Sequence, residues 1–311
     1  MKRIFAIVLV LMLALSVAAM AEEVDLSILA GKTIGFAQCD NRNSWRIAET
    51  DSMQAVAEEV GATLIATDAG ADLAKQASDI ESLVAQNVDF LVVAPQEEDG
   101  LQSALQEAMD KGIPVILVDR NINGEAGVHY VAAIMSDFVW EAEQVANLFI
   151  ADSGDSGNIV ILQGTQGATS TIDRQKGFMD VIEKSNMKVI ADQVADYVMD
   201  KGQEVMENIL QAQGDEVNYV FAHNDDMALG AIKAIEAAGK VPGVDNQGCR
   251  HRRPQGRHDR ALCRLHPRLH EVRRIDDLIL IRCNDCPRNM LRLHQVVTLL
   301  SGVTKGDVVS K

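Results

Sequence analysis

Several charged, amide and aromatic side chains follow predicted strands, where parallel sheets bind their ligands. They are Asn43, Trp45, Arg46, Asp119, Arg120, Asp173, Arg174, Asn224 and Asp225. Arginine presents five donors in a fixed fork, a carboxylate only accepts, and an asparagine amide does both. Hydrogen bonds between neutral hydroxyls and charged partners belong to the stronger class, and Trp45 adds an indole that can stack on an apolar ring face. This combination predicts a binding site for a hydroxyl-rich molecule.

Structural roles compete with ligand binding at these positions. Asp119 and Asp225 stand where aspartate commonly caps a helix. Arg46 suits a solvated helix charge, and Arg174 can pair with a neighbouring carboxylate at the surface. Trp45 can be a core residue. The sequence alone leaves each of these alternatives open.

Glu49 and His223 lie beside the same segments. Glu49 follows Trp45 by one helical turn, so it either reaches the same cleft or stays on an exposed helix face. His223 directly follows an apolar strand, which favours a structural or supporting role over ligand contact. Asp225 and Asp226 are adjacent carboxylates, but adjacency in sequence does not define a catalytic pair. The sequence therefore predicts neither an enzyme nor a cofactor.

The elements that position these residues alternate between strands and helices. Short apolar runs predict strands, and apolar residues at helical spacing predict helices. The predicted strands are residues 33–37, 62–66, 89–94, 115–118, 128–133, 158–162, 188–191 and 218–222. The predicted helices are residues 47–60, 74–85, 101–109, 138–151, 172–184, 202–213 and 227–238. Such alternation is typical of right-handed βαβ units around a parallel sheet.

Two runs of these units predict an α/β fold with two doubly wound, Rossmann-like lobes, residues 32–134 and 135–247. A hinge joins the lobes, and a ligand cleft lies between them. Ligands of open α/β sheets bind outside the carboxyl ends of the strands, where the residues above stand. The two lobes lack the glycine-rich turns that cradle nucleotide phosphates, so nothing in them indicates a nucleotide enzyme.

The first 21 residues have the pattern of a cleavable secretory signal peptide. Lys2 and Arg3 precede the apolar residues 4–17, and Ala19 and Ala21 offer the small residues of a cleavage site. The apolar run is shorter than the roughly 20 residues that span a bilayer, although an uncleaved anchor is the alternative. The pattern predicts export to the periplasm.

Charge and cysteine are unevenly distributed along the chain, whose net charge is -16. Residues 1–247 contain 15 Lys+Arg and 39 Asp+Glu, whereas residues 248–311 contain 14 Lys+Arg and 6 Asp+Glu. The acidic body disfavours nucleic acid as a partner, because phosphates require compensating cations. Its single cysteine, Cys39, excludes a disulfide framework there.

Five segments resemble the periplasmic sugar-binding proteins of ABC importers, of the ribose- and galactofuranose-binding kind, which have the type I periplasmic binding protein fold. They are Ser44-Trp45-Arg46-Ile47-Ala48-Glu49-Thr50, Phe90-Leu91-Val92-Val93-Ala94-Pro95, Leu117-Val118-Asp119-Arg120, Leu162-Gln163-Gly164-Thr165 with Ile172-Asp173-Arg174-Gln175-Lys176-Gly177-Phe178, and Ala222-His223-Asn224-Asp225-Asp226-Met227-Ala228-Leu229-Gly230-Ala231. Each segment is short, but their order and spacing over residues 32–247 are specific.

The resemblance implies a clamp that closes on one monosaccharide and presents it to a membrane permease, and in some cases to a chemoreceptor. It implies sugar hydrogen bonds from Asp119, Arg120, Arg174 and Asn224, ring contacts from Trp45 and Arg46, and a stacking position for Tyr197. Sugar-responsive transcription regulators share the fold but need an N-terminal helix-turn-helix, where this chain has the predicted signal peptide. A periplasmic sugar hydrolase is the third alternative.

From Gly248 the sequence departs from the family pattern. Residues 248–311 contain no Phe, Tyr or Trp, 12 Arg and 5 of the 7 His. The family has a Gly-Ile-Asp-Gly-like turn here, whose carboxylate binds sugar. Shifting the codons of residues 248–257 by one base allows Val-Val-Gly-Ile-Asp-Gly, with that carboxylate at the codon straddling Arg252 and Arg253. We interpret the tail as a frameshifted reading; a chance match among degenerate codons is the alternative.

Two other interpretations take the tail as written. Cys283 and Cys286 form a Cys-x-x-Cys pair, with Cys263, His266 and His270 upstream, which is one pattern of a zinc site. The arginines could also form a nucleic-acid patch, although an exported protein rarely meets nucleic acid.

Overall fold

The structure, a computed structural model, describes residues 26–242. These residues form two parallel sheets flanked by helices, one in each of two lobes. The predicted signal peptide, the zinc pattern and the tail that we interpret as frameshifted lie outside the described residues. Within residues 26–242, no helix is both long and apolar enough to cross a membrane.

The first lobe is a five-stranded parallel sheet with the order β2-β1-β3-β4-β5. Its strands are β1 (Thr33–Gln38), β2 (Thr63–Asp68), β3 (Phe90–Val93), β4 (Val115–Val118) and β5 (Ala132–Ile134). Its helices are a short 3-10 turn (Leu26–Leu29), α1 (Ser44–Val60), α2 (Leu73–Ala85) and α3 (Gln102–Asp110). β3 and β4 are buried at every residue, because apolar clusters cover both faces of the sheet.

The second lobe is a three-stranded parallel sheet with the order β7-β6-β8. Its strands are β6 (Gly157–Gln163), β7 (Met187–Val194) and β8 (Tyr219–Ala222). Its helices are α4 (Phe138–Ser153), α5 (Thr169–Ile182), α6 (Met199–Gln213) and α7 (Asp225–Ala237). α4 packs on α5, and α6 packs on α7.

Glycines allow both helix pairs of the second lobe to approach closely. A Cβ atom at Gly177 of α5 would lie 2.1 Å from the carbonyl oxygen of Val139, and one at Gly230 of α7 would lie 2.1 Å from that of Met199. No side chain fits at either distance, so these two positions require glycine.

The structure confirms the predicted fold class, with a strand or helix in each predicted segment. Three helices begin three residues earlier than predicted, at Ser44, Thr169 and Met199 rather than at residues 47, 172 and 202. The helices were predicted from apolar residues at helical spacing, and their largely polar first turns lack that pattern. Trp45 and Arg46 therefore belong to the first turn of α1 rather than to a loop. The division of the chain at residue 134 stays a prediction.

Candidate ligand-binding cleft

The two lobes meet at the carboxyl ends of their strands, and we call the region between these ends the cleft. The amide of Glu98, after β3, donates to the carbonyl oxygen of Gly167, after β6, at 2.8 Å. The amide of Asn121, after β4, donates to Thr169 Oγ1 at the start of α5, at 3.0 Å. The polar segments singled out from the sequence are thus brought together between the lobes.

Arg46 lies at the centre of a buried charge network in the first lobe. Its side chain is only 2% exposed, with Nη1 2.7 Å from Glu49 Oε2 and Nη2 2.5 Å from Asp119 Oδ2. Gln38 Nε2 also donates to Glu49 Oε2, at 2.9 Å. Burial raises the pKa of Glu49, and Arg46 opposes the shift. The structure excludes a solvated helix charge for Arg46 and an exposed face for Glu49.

Asp119 and Arg120 form the turn that follows β4. Asp119 has a left-handed backbone, with φ of 63°, and its amide donates to the carbonyl oxygen of Ile134 on β5. It therefore caps no helix. Arg120 is 3% exposed, and its Nη1 donates to the carbonyl oxygens of Pro95 at 3.3 Å and Gln96 at 3.0 Å. These bonds fix the guanidinium but leave Nε without a hydrogen-bond partner.

Tyr197 connects the second lobe to Arg120. Its hydroxyl lies within hydrogen-bond distance of Ser170 Oγ (2.9 Å) and Thr171 Oγ1 (2.8 Å), both in the first turn of α5. Arg120 Cζ is 5.3 Å from the centre of the ring, which is a cation–π distance. The ring also covers Gly164, where a Cβ atom would lie 1.9 Å from it. The role of Tyr197 as a stacking surface for sugar stays a prediction.

Arg174 lies in the second turn of α5 and pairs within its own lobe. Its Nη2 is 3.4 Å from Glu141 Oε2, and its Cζ is 4.3 Å from the centre of the Phe138 ring. The partner is therefore a carboxylate on α4, not a sequence neighbour on the surface. The preceding Asp173 is half-buried, and burial together with the nearby Asp137 raises the pKa of its carboxyl.

Two predicted ligand residues cap helices in the structure. Asn43 Oδ1 accepts a hydrogen bond from the amide of Arg46, and Asn224 Oδ1 accepts one from the amide of Met227, both at 3.0 Å. Asn224 Nδ2 also donates to the carbonyl oxygen of Tyr197, at 3.1 Å. Asn224 thus takes the cap position that the sequence left open for Asp225, which is the first residue of α7.

His223 is buried just beyond the carboxyl end of β8. Burial, and then the nearby Arg174, lowers the pKa of His223 to about 3. The imidazole is therefore neutral near pH 7. Its Nδ1 accepts from the amide of Gly164 at 3.4 Å, so the proton belongs on Nε2. Its ring packs 5.0 Å from that of Phe221, which agrees with the supporting role expected for this residue.

Buried side-chain atoms without hydrogen-bond partners gather at the cleft. Within residues 26–242 they include Glu49 Oε1, Gln96 Oε1, Arg120 Nε, Asn121 Oδ1, Thr165 Oγ1 and His223 Nε2. Buried polar atoms in native proteins are almost always satisfied by protein, water or ligand. This group contains donors and acceptors together, and a hydroxyl group can satisfy either.

Sequence reasoning assigned no role to Gln96, Asn121 or Thr165. Asn121 directly follows Arg120, Thr165 ends a segment that carries the family resemblance, and Gln96 follows β3 by three residues. Their position in the sequence could have identified them, because each of the three residues lies just beyond the carboxyl end of a strand.

Known proteins with similar sequences identify the family of this chain. Residues 34–247 match the family described as Periplasmic binding protein domain. The chain belongs to this family. It is 38% identical over 225 residues to the Galactofuranose-binding protein YtfQ of Escherichia coli (strain K12), with 71% of each chain covered. It is 36% identical over 209 residues to the Ribose import binding protein RbsB of Bacillus subtilis (strain 168), with 67% of each chain covered.

Solved structures of sugar-binding proteins share the fold. A galactofuranose binding protein superposes with a TM-score of 0.66 at 38% identity, over 68% of this chain and 73% of that chain. The binding component of the arabinose ABC transporter from Shewanella sp. ANA-3, bound to L-arabinofuranose, also gives 0.66 at 38% identity, over 68% and 71%. The resemblance stated from the sequence is thereby confirmed.

Proposed function

We propose that this chain is an extracytoplasmic solute-binding protein that captures one monosaccharide, galactofuranose- or ribose-like, and delivers it to the permease of an ABC importer. The observation that carries the proposal is the group of buried donors and acceptors at the cleft that lack protein partners. Each sugar hydroxyl both donates and accepts, so one small polyol can satisfy several of these atoms together. The names of the similar proteins support the same ligand class.

Charge balance at the cleft favours a neutral ligand over an anionic one. Arg46 is neutralised by Glu49 and Asp119, and Arg174 by Glu141. Arg120 lies 3.7 Å from the Asp119 carboxylate. Positive charge without a counter-charge would favour sugar phosphates or uronic acids, whereas paired charges favour uncharged hydroxyl groups.

We propose the same sugar-contacting residues as those predicted from the sequence, and their positions in the structure suggest how each would contact the sugar. Arg120 Nε and the Asp119 carboxylate would bind adjacent hydroxyls, and Arg174 would bind from the second lobe. The half-buried Trp45 would cover the ring, since the guanidinium of Arg46, 4.9 Å from the indole centre, fixes its position. Asn43, Asn224 and Asp225 would contribute at the helix starts, with Glu49, Asp173 and Tyr197 around them.

We propose binding without chemical change to the sugar. Asp226 accepts two hydrogen bonds from Ser44, so it is engaged by protein groups rather than placed as half of a catalytic carboxylate pair. The proposal includes export to the periplasm, where the permease, and in some cases a chemoreceptor, would receive the closed protein. Appearance of the protein in the cytoplasmic fraction would contradict this location and favour a regulator.

A ligand screen tests the proposal. The melting temperature of the purified chain is measured without sugar and then with each of six ligands. Four are neutral sugars (D-galactose, L-arabinose, D-ribose and D-fructose), and two are anions (D-galacturonate and D-ribose 5-phosphate). Because a ligand that binds only the folded state stabilises it, we expect at least one neutral sugar to raise the melting temperature and the two anions to leave it unchanged. Recovery of chemically altered sugar would contradict the non-catalytic assignment.

A further inference from the structure

One carboxylate joins helix starts that belong to different lobes. Asp226 Oδ2 accepts hydrogen bonds from both the amide and the hydroxyl of Ser44, each at 2.9 Å, across 182 residues of sequence. Ser44 is the first residue of α1, and Asp226 is the second residue of α7. Asp226 is only 7% exposed. This contact involves protein groups alone.

The electrostatics of the contact are favourable from both sides. The first amides of a helix have no intrahelical acceptor, so the Ser44 amide needs an outside partner and finds it in Asp226. A helix N-terminus carries partial positive charge, and the Asp226 carboxylate belongs to the first turn of α7 while it bonds the first residue of α1. Separating the lobes would remove this acceptor from the exposed Ser44 and open the buried Asp226 carboxylate to water.

We propose that Ser44 and Asp226 form a latch that stabilises the closed arrangement of the two lobes. Asp226 is a positioning residue: its carboxylate bonds Ser44 and so holds the two lobes together. A second bond between the lobes, from the Asn121 amide to Thr169 Oγ1, connects the turn after β4 to the start of α5, and it forms only while the lobes are together. Loss of the latch therefore weakens this second bond. The consequence for retention of a captured sugar rests on the proposed function.

Hydrogen exchange of single amides tests the latch in the full chain without added sugar, so a failure of the proposed function does not affect the result. Replacement Asp226→Ala removes a charge-assisted acceptor, and we expect the exchange rate of the Asn121 amide to rise about tenfold. Asp226→Asn, which keeps a neutral acceptor, should give a smaller rise. Ser44 itself should also exchange faster, but that change alone shows only a lost local contact.

Two controls separate lobe opening from other effects. The amide of Lys75 donates to Asp72 Oδ1 within the first lobe, at 3.0 Å, so its exchange should not change. Asp200→Asn removes an exposed carboxylate from the first turn of α6 and should leave the Asn121 amide unchanged.

A rise at Ser44 without a rise at Asn121 would overturn the latch. If the exchange rate of the Lys75 amide also rises in Asp226→Ala, the substitution has destabilised the whole fold. Ser44→Ala then becomes the decisive variant. Ser44→Ala removes one donor and keeps Asp226, so a several-fold rise at Asn121 is expected. An unchanged Asn121 rate in Ser44→Ala would then overturn the proposal.

Discussion

Arg46 and Asp119 form an ion pair across 73 residues of sequence, with Arg46 only 2% and Asp119 only 14% exposed. The pair joins the first turn of α1 to the turn after β4, and Glu49 binds the other terminal nitrogen of the same guanidinium. These two segments supply most of the proposed sugar contacts of the first lobe. The network therefore holds the binding groups in place before any ligand is present.

Removal of Arg46 should destabilise the fold strongly. Arg46→Ala leaves Glu49 without its counter-charge and Asp119 with only the more distant Arg120, at 3.7 Å. Breaking a buried pair from one side costs about 3–5 kcal/mol. Lys111→Ala is the matched control, because its ion pair with Glu107 is half exposed and is worth at most about 1 kcal/mol. Urea unfolding followed by circular dichroism measures both variants. Equal, small losses of unfolding free energy would show that the network contributes little.

Sugar binding should depend on the shape of the Arg120 side chain as well as on its charge. Arg120→Ala and Arg174→Ala should each cost about 2–5 kcal/mol of binding free energy, because a desolvated charged contact is lost. Arg120→Lys keeps the charge but removes the Nε donor, so it should bind more weakly than the wild type. Arg42→Ala, whose side chain is 40% exposed, is the control. Wild-type affinity in Arg120→Ala and Arg174→Ala would exclude these contacts.

Stability should fall on acidification because His223 is buried in its neutral form. Its pKa is lowered to about 3 by burial and then by Arg174, whereas an unfolded histidine titrates near 6.5. Between these values the unfolded chain binds one more proton than the folded protein, so the free energy of unfolding decreases as the pH is lowered.

The expected slope from His223 is about 1.4 kcal/mol per pH unit. His223→Gln should therefore flatten the decline in the free energy of unfolding between about pH 6 and about pH 4.5. Urea titrations of both proteins at a series of pH values measure the two slopes. Parallel declines would mean that His223 is protonated in the folded protein.

The fold was predictable from local patterns, whereas the partners within the cleft were not. Continuous apolar runs such as β3 and β4 and helical spacing between them were sufficient for two α/β lobes. The sequence also marked the correct loops, because ligands bind beyond the carboxyl ends of parallel strands. However, the burial of Arg46 depends on Asp119, and the role of Asp226 depends on Ser44. Contacts over such sequence distances have no local signal.

Helix starts were the other weakness of the sequence reasoning. The first turns of α1 and α5 contain polar residues. Asn43 caps the first turn of α1, and Ser170 and Thr171 in the first turn of α5 contact the Tyr197 hydroxyl. Apolar periodicity begins only afterwards, so Trp45 and Arg46 were assigned to a loop.

The reading frame after residue 247 is a separate prediction. The family match ends at residue 247, directly before the composition changes. We expect DNA sequencing across codons 244–256 to reveal a missing or extra base, and the corrected frame to encode Val-Val-Gly-Ile-Asp-Gly. An unaltered reading on both strands would contradict the frameshift, and the tail would then require its own explanation.

Calorimetric titration with neutral monosaccharides tests the central claim most directly. The chain, and its frame-corrected form if sequencing supports one, is titrated with the sugars that raise the melting temperature. The account predicts one site per chain and a Kd between sub-micromolar and micromolar, equivalent to about 8–10 kcal/mol. The Arg120→Ala variant should lose most of this binding. Absence of saturable heat with every neutral sugar, for both forms of the chain, would contradict the account.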